Sequence, residues 1–417
     1  MAQNTESPLL LTVVRSLSFA EDRSTLLRTV SPDRWQELLA LTDANHITLA
    51  LTARCSHAVP EQARRLLESC ANRNTLRHAR IVGAHAELAG AMNARGVEFL
   101  ILKGLTHTGL WNANPADRLQ YDIDMYCPGE SLRKANEVAA SIGYAPAWSV
   151  DSGADHLPPL IRRTGWRWRG DYYDPEQPLA LELHHRFWNP ATGFCVHGEA
   201  RFWGRRAVGR FHGIALPTLC PVDQLTFAAW HVLRHLLRGS LGICHVYELA
   251  HFLHYSAPDH RFWQEWRDRG PATDRLPELV AFRLAQTWFG CRLHPLAEGY
   301  LATLPAEVDR WFQLFAFSPL AADAHPNKDE LFLSFCLVPD RRDRRRIALN
   351  RLFPPRIPPT LFDAHASGAG LRLQSKRGVH RARFIARRVL HHLRALSPVL
   401  RSGCRWWLAG RRQVRTP

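Results

Sequence analysis

Lysine is nearly missing from this chain of 417 residues: only Lys103, Lys134, Lys328 and Lys376 stand among its 54 basic side chains, a bias that carries no functional reading. Long hydrophobic runs are missing too. No apolar stretch reaches the ~18 residues that a membrane-spanning helix needs. The first residues, MAQNTESPLLLTVVRSLSF, lack a basic n-region and a small-residue cleavage site, so no secretory signal is expected. The nine cysteines are odd in number and form no C-x-x-C pair. That pattern speaks for reduced thiols in a cytoplasmic protein, against both a disulfide scaffold and a zinc ribbon. The chain also has no G-x-x-x-x-G-K-[ST], no G-x-G-x-x-G after a strand and no G-x-S-x-G. P-loop, dinucleotide-fold and serine-hydrolase readings are left without support.

What is present describes a globular protein, with 46% hydrophobic and 22% charged residues. Its length suffices for a large core and two or three domains. The net charge of +16 is uneven. From Arg341 to Pro417 there are 20 basic and two acidic side chains, whereas the preceding 340 residues hold 34 basic and 36 acidic ones. The basic balance therefore belongs to the tail and gives no reason to expect a nucleic-acid-binding surface on the fold.

Periodicity divides the chain further. Residues 1–75 read as helical. Trp35, Leu38, Leu39 and Leu41 line one helix face, and Ser31-Pro32-Asp33 supplies an N-cap followed by Pro. The Pro-free segment from Glu61 to Arg95 reads as one or two helices stopped by Gly96. Phe99 to Leu102 reads as a buried strand that stops at Lys103-Gly104 and passes into a helix-compatible segment. Asp122 and Asp124 lie on a second short strand, and a helix follows from Gly129 to Ser141. Leu179, Leu181 and Leu183 alternate with Ala180, Glu182 and His184, the pattern of a half-buried strand. Further helices are expected from Pro221 to about Leu237, Leu241 to Tyr255, Arg261 to Arg269, Leu276 to Phe289 and Glu307 to Phe317. Ser334 to Asp340 closes the compact part, and Pro354 to Pro359 is a stiff linker. The expected organisation is an N-terminal helical region (1–75), a sheet-bearing core (76–215), a helical domain (216–340) and an Arg-rich linker with a basic tail (341–417). This is an α+β fold (α/β-type) with a small mixed β-sheet flanked by helical regions.

Asp122 and Asp124, two apart on a strand, point to the same face. A divalent cation is the usual reason to hold carboxylates so close, and Mg²⁺ (or Mn²⁺) is the commonest choice beside phosphate. Glu182, on the polar side of its own strand, adds a third acid. Lys103 and Gly104 suit phosphate, the lysine by charge and the glycine by close backbone approach. Arg118 suits a bidentate clamp on a phosphate oxygen. His184, beside Glu182 on the same face, either orients that carboxylate, touches a nucleotide or makes a structural hydrogen bond. Taken alone, D-x-D more often marks solvated strand-edge acids, and Lys103 would then be a surface cation.

Leu102-Lys103-Gly104, Arg118, Asp122-Ile123-Asp124, Ile142-Gly143-Tyr144 and Glu182-Leu183-His184 together resemble the uncharacterised nucleotidyltransferase family of the DNA polymerase beta-like nucleotidyltransferase superfamily. Leu225 to Leu237 resembles that family's His-containing helix, and Glu248 stands where the family tends to carry an Asp. The chain has His185 where the family often has Trp. Lys-Gly replaces the superfamily's usual Gly-Ser. The resemblance implies transfer of a nucleoside monophosphate from an NTP, expected to be ATP, to an unidentified acceptor. In that reading Asp122, Asp124 and Glu182 are the metal-binding catalytic acids, Glu182 takes the acceptor's proton, and Lys103, Gly104, Arg118 and His184 contact the nucleotide. The alternative is a catalytically inactive nucleotide- or partner-binding protein of the same fold.

His231 and His235 lie i, i+4 on a helix, a zinc-compatible spacing. No Glu follows the first and no third ligand is evident, so core or pocket packing is the reading. His245, His251 and His254 share the next helix and are expected to straddle its surface. In the tail, Phe384, Ile385, Val389, Leu393 and Leu396 line one side of a helix, with Arg381, Arg383, Arg387, Arg388 and Arg394 around the rest and Trp406-Trp407 beyond. Residues 379–412 therefore suit an anionic membrane surface or an acidic partner more than nucleic acid. The plainer reading, which comes first, is a helix docked on its own protein with a solvated basic face, or a disordered tail.

Overall fold

The computed structural model describes residues 9–112, 114–147, 155–194, 196–322, 326–352 and 371–413. The Pro354-to-Pro359 linker lies outside the described residues. Four α-helices precede the sheet: α1 (Leu9–Ser16), α2 (Trp35–Ala44), α3 (Thr48–Cys55) and α4 (Glu61–Ala94). Pro32–Arg34 forms a single 3₁₀ turn that runs directly into α2. α4 is one unbroken helix of 34 residues. Gly96, with φ +58°, follows its end, a conformation that favours glycine.

Seven strands and two helices come next: β1 (Leu100–Ile101), β2 (Asp122–Tyr126), α5 (Gly129–Ser141), β3 (Tyr144–Pro146), β4 (Leu160–Arg162), β5 (Ala180–His184), α6 (Ala200–Gly204), β6 (Ala207–Phe211) and β7 (Ile214–Thr218). They form one mixed sheet in the order β3-β4-β5-β2-β1-β7-β6. The β2/β5 and β1/β7 pairs are parallel; the others are antiparallel. One face of the sheet is apolar. Ile101, Ile123, Met125, Leu181 and Leu183 pack there against Ile81, Leu88 and Met92 of α4 and Ala135, Val138 and Ala139 of α5.

The remaining helices are α7 (Pro221–Arg238), α8 (Ile243–Ser256), α9 (His260–Asp268), α10 (Leu276–Phe289), α11 (Pro295–Leu301), α12 (Ala306–Phe315), α13 (Glu330–Leu337), α14 (Arg341–Leu352) and α15 (Leu371–Gln413). A second core joins α1–α3 to α7–α13 and reaches the sheet through Leu100 and Leu102. The packed body does not close at Asp340 as expected. Ile347 of α14 is buried, and Trp406 of α15 stacks on Phe315 and Phe332. Among the described residues no helix is long and apolar enough to cross a membrane.

Two local expectations need correction. The segment after Lys103-Gly104 is not a helix but a single 3₁₀ turn, Gly104–Thr106. It therefore offers no helix N-terminus to an anion. His251 does not lie on the surface of α8: it is buried, with Nδ1 2.7 Å from the Leu110 carbonyl.

Candidate active site

Strand alternation decides which side chains meet. In the parallel β2/β5 pair, Asp124 lies opposite Glu182 and Tyr126 opposite His184. The odd-numbered neighbours Ile123, Met125, Leu181 and Leu183 face the helix-covered core. Asp122, Asp124, Glu182 and His184 therefore share the other face. Lys103, just past β1, reaches across to them. Its Nζ lies 3.1 Å from Asp124 Oδ2 and 3.7 Å from Asp122 Oδ2. His184 Nε2 donates to Asp124 Oδ1 at 3.1 Å and lies 3.6 Å from Glu182 Oε2. The ligand-type atoms of Asp124, Glu182 and His184 all fall within 4.8 Å of one another.

Burial and charge set the protonation of this cluster. Asp124 is buried, which by itself raises a carboxyl; the Lys103 ammonium and the His184 hydrogen bond outweigh that and hold it well below the usual range. Asp122 is pushed up to about 6 by burial and by Asp124, with Lys103 opposing. Burial also opposes the charged form of His184, yet hydrogen bonds to Asp124 and Glu182 raise it to about 9. Glu182 is held below its ordinary value despite burial, chiefly by His184. Asp122 (33% exposed) and Glu182 (25%) are the open members, while Asp124 (3%) and His184 (2%) are the sealed ones.

Gly104 and Arg118 are held by their own supports. At Gly104 φ is +75°, and a Cβ there would run into the Gln120 amide. Gln120 Nε2 in turn donates to the Asp122 carbonyl at 2.7 Å, so the Gly104 turn and the start of β2 are locked together. Arg118 Nε lies 2.9 Å from Glu248 Oε1 of α8, and its Nη1 is buried with no hydrogen-bond partner among the described residues. Arg118 thus does not clasp the aspartates; Glu248 anchors it beside them. Two buried polar residues of α4 fix the loop that carries it. Asn74 Nδ2 donates to the carbonyls of Ala116 (2.5 Å) and Arg118 (3.1 Å). Arg77 donates to the carbonyls of Gln120, Asp174 and Gln177.

The structure brings together five of the seven residues singled out from the sequence: Lys103, Asp122, Asp124, Glu182 and His184. Gly104 adjoins them, and Arg118 stands one ion pair away. Sequence reasoning missed His107, which stacks on Trp111 at 4.1 Å and lies 3.7 Å from Glu248 Oε2. Two carboxylates and an imidazole thus come within reach of a common point, a donor set that could hold a divalent cation. The Lys103 ammonium is within reach of both aspartates.

No curated protein and no solved structure matches the chain at a significant level. A profile described as uncharacterised nucleotidyltransferase matches residues 31–290, which include every residue of the site. The chain belongs to this uncharacterised nucleotidyltransferase family and carries its transferase-type domain.

Proposed function

We propose that the protein transfers a nucleoside monophosphate from an NTP, ATP being the expected donor, to a hydroxyl-bearing acceptor. The observation that carries this reading is the sheet face shared by Asp122, Asp124 and Glu182, with the Lys103 ammonium within reach of both aspartates and a carboxylate oxygen of Asp124 within 4.8 Å of one of Glu182. Mg²⁺ or Mn²⁺ held by the three carboxylates would neutralise triphosphate charge and acidify the acceptor hydroxyl. Lys103 and His184 keep Asp124 ionised, and His184 does the same for Glu182. Glu182, ionised and partly open, takes the acceptor's proton. Lys103 and the backbone at Gly104 position phosphate. So does Arg118, whose Nη1 has a donor to spare. Chemistry of this kind is mostly positioning and charge stabilisation, so losing one acid is severe.

The test is pyrophosphate release and transfer of α-phosphate label from NTPs with Mg²⁺ across a panel of hydroxyl acceptors, with Asp122→Asn and Asp124→Asn as controls. Turnover that both variants abolish is expected. Equal Mg²⁺-nucleotide binding by wild type and both variants would refute the site. Nucleotide binding without turnover on any acceptor would leave the binding-protein alternative in its place.

The tail adds a partner. α15 touches the body through Ala395, Ser402 and Trp406. At ~100° per residue, Ile385, Val389, Leu393, Leu396, Leu400 and Trp407 fall in one sector of about 80°, and all six are exposed. Arg383, Arg387, Arg394, Arg401 and Arg405 form a separate exposed row. An apolar stripe and an arginine row, centred about 140° apart around the helix, match an anionic membrane surface in polarity and charge, which would make this a cytoplasmic, membrane-peripheral enzyme. Sedimentation with phosphatidylglycerol vesicles, abolished by Val389→Glu with Leu400→Glu, is expected. Failure to bind, or equal binding by that variant, would refute it.

A further inference from the structure

The α7–α8 hairpin carries three histidines that the proposed nucleotide chemistry does not use. α7 ends at Arg238 and is capped by Gly239, in a left-handed conformation with φ +65°, and α8 begins at Ile243. So tight a turn lays the first turn of α8 against the last turns of α7. His231 and His235, four apart, share a face of α7. His245 of α8 meets both. Ring centroids are 4.5 Å apart for His231–His235, 4.4 Å for His231–His245 and 5.4 Å for His235–His245. One ring nitrogen from each lies within 4.8 Å of those of the other two. The third ligand that sequence spacing alone does not supply thus comes from the neighbouring helix.

We propose that His231, His235 and His245 form a three-nitrogen site for Zn²⁺ or a similar nitrogen-seeking divalent ion, separate from the carboxylate site, with the fourth position open. The geometry is near closure. Tetrahedral Zn–N bonds of about 2.0–2.1 Å place ligand nitrogens roughly 3.4 Å apart, a distance that small ring rotations from the present arrangement reach. His235 is already oriented. Its Nδ1 faces the Ser240 carbonyl at 3.2 Å, so an Nδ1–H donated there leaves the Nε2 lone pair free for a metal. Burial keeps all three imidazoles neutral and ligand-competent, with His235 pushed down to about 3. Nitrogen donors without a carboxylate do not suit Mg²⁺, so the two clusters select different metals. The surrounding charges are mixed. Lys103, Arg118, Arg234 and Arg238 disfavour a cation there, and Glu248 favours one. Three imidazoles must therefore supply the affinity. The same cationic surround directs an anion, hydroxide or a phosphate oxygen, to the open position.

The experiment uses the full chain without a histidine tag, loaded with Zn²⁺ and dialysed in chelator-free buffer. Metal content and the Zn²⁺-induced shift in Tm are measured for wild type, His235→Gln, His245→Gln and Asp124→Asn. Wild type and Asp124→Asn are expected to retain one equivalent of Zn²⁺ and to melt higher with it; the two histidine variants lose both effects. Circular dichroism in EDTA verifies that each variant folds. Co²⁺ titration of wild type, read by its visible spectrum, provides a test that needs no variant: a tetrahedral nitrogen-ligated spectrum supports the site. No retained Zn²⁺ and no such spectrum in wild type would overturn the proposal. So would Zn²⁺ that Asp124→Asn loses and His235→Gln keeps, which would put the ion on the carboxylates.

Discussion

Replacing His184 with Gln tests the electrostatic account of the site without any substrate. In the folded protein His184 is buried between Asp124 and Glu182, and its value is raised to about 9 from an ordinary 6.5. The native state therefore holds a proton that the unfolded chain releases near pH 6.5, and stability falls as pH rises from there through about 9. At 1.36 kcal/mol per unit, the charged imidazole contributes about 3 kcal/mol below that window, and this is lost above it. Other groups act outside this window or alike in wild type and variant. Buried histidines such as His46 and His85, whose values are pushed down to about 4, cost stability only as pH falls below 6.5. Buried thiols such as Cys127, pushed up to about 12, also lower stability as unfolded thiols ionise around pH 9, but they do so alike in wild type and variant and cancel from the difference. The assay is urea unfolding at half-unit steps from pH 6.5 to 9.5 in EDTA, for wild type and His184→Gln. The wild-type free energy should fall by about 3 kcal/mol more than the variant's across this range. Parallel curves would refute the assignment of a buried imidazolium to the site.

Gly104→Ala should destabilise the protein by about 2 kcal/mol or more, because it meets both a positive φ and the Gln120 amide; adding Gln120→Ala should restore only the part due to the clash, as read by thermal melting. Arg77→Met leaves the Gln120, Asp174 and Gln177 carbonyls without their donor and should cost about 3 kcal/mol or more in denaturant unfolding. Because Asp122 is pushed up to about 6, its carboxylate is the first of the acids to be lost on acidification; apparent Mg²⁺ affinity by calorimetry should weaken below that pH, by up to about tenfold per unit, and Asp122→Asn should remove the dependence.

The site's sheet face was legible because strands have a two-residue period. Leucines at 179, 181 and 183 place Glu182 and His184 opposite them, and the same rule pairs Asp122 with Asp124. Parallel pairing of β2 with β5 was not legible, since register depends on partners nearly 60 residues apart, yet it is what sets Asp124 beside Glu182. The Lys103-Gly104 junction misled because a helix-compatible composition does not show how short the turn must be when Gln120 packs beneath it. Helix periodicity marked α8 but not its polar inward face. Glu248 reaches Arg118 and His245 reaches α7 only through tertiary packing. In the tail, the amphipathic pattern was plain. Which side docks was decided by the small residues Ala395 and Ser402 and by Trp406 rather than by the aliphatic stripe.

Lys103 and His184 set two positive charges against three carboxylates, and the most exposed of those, Asp122, is the readiest to take a proton. The cluster is thus close to electroneutral before any ligand arrives. An open cage of acids draws cations over a distance and loosens its hold as salt is added. This site works by exchange of partners at short range: an incoming cation must displace the ammonium, and the ammonium must find another anion. Its affinity for a divalent ion should therefore depend little on ionic strength and strongly on whether an anionic ligand is present to receive Lys103.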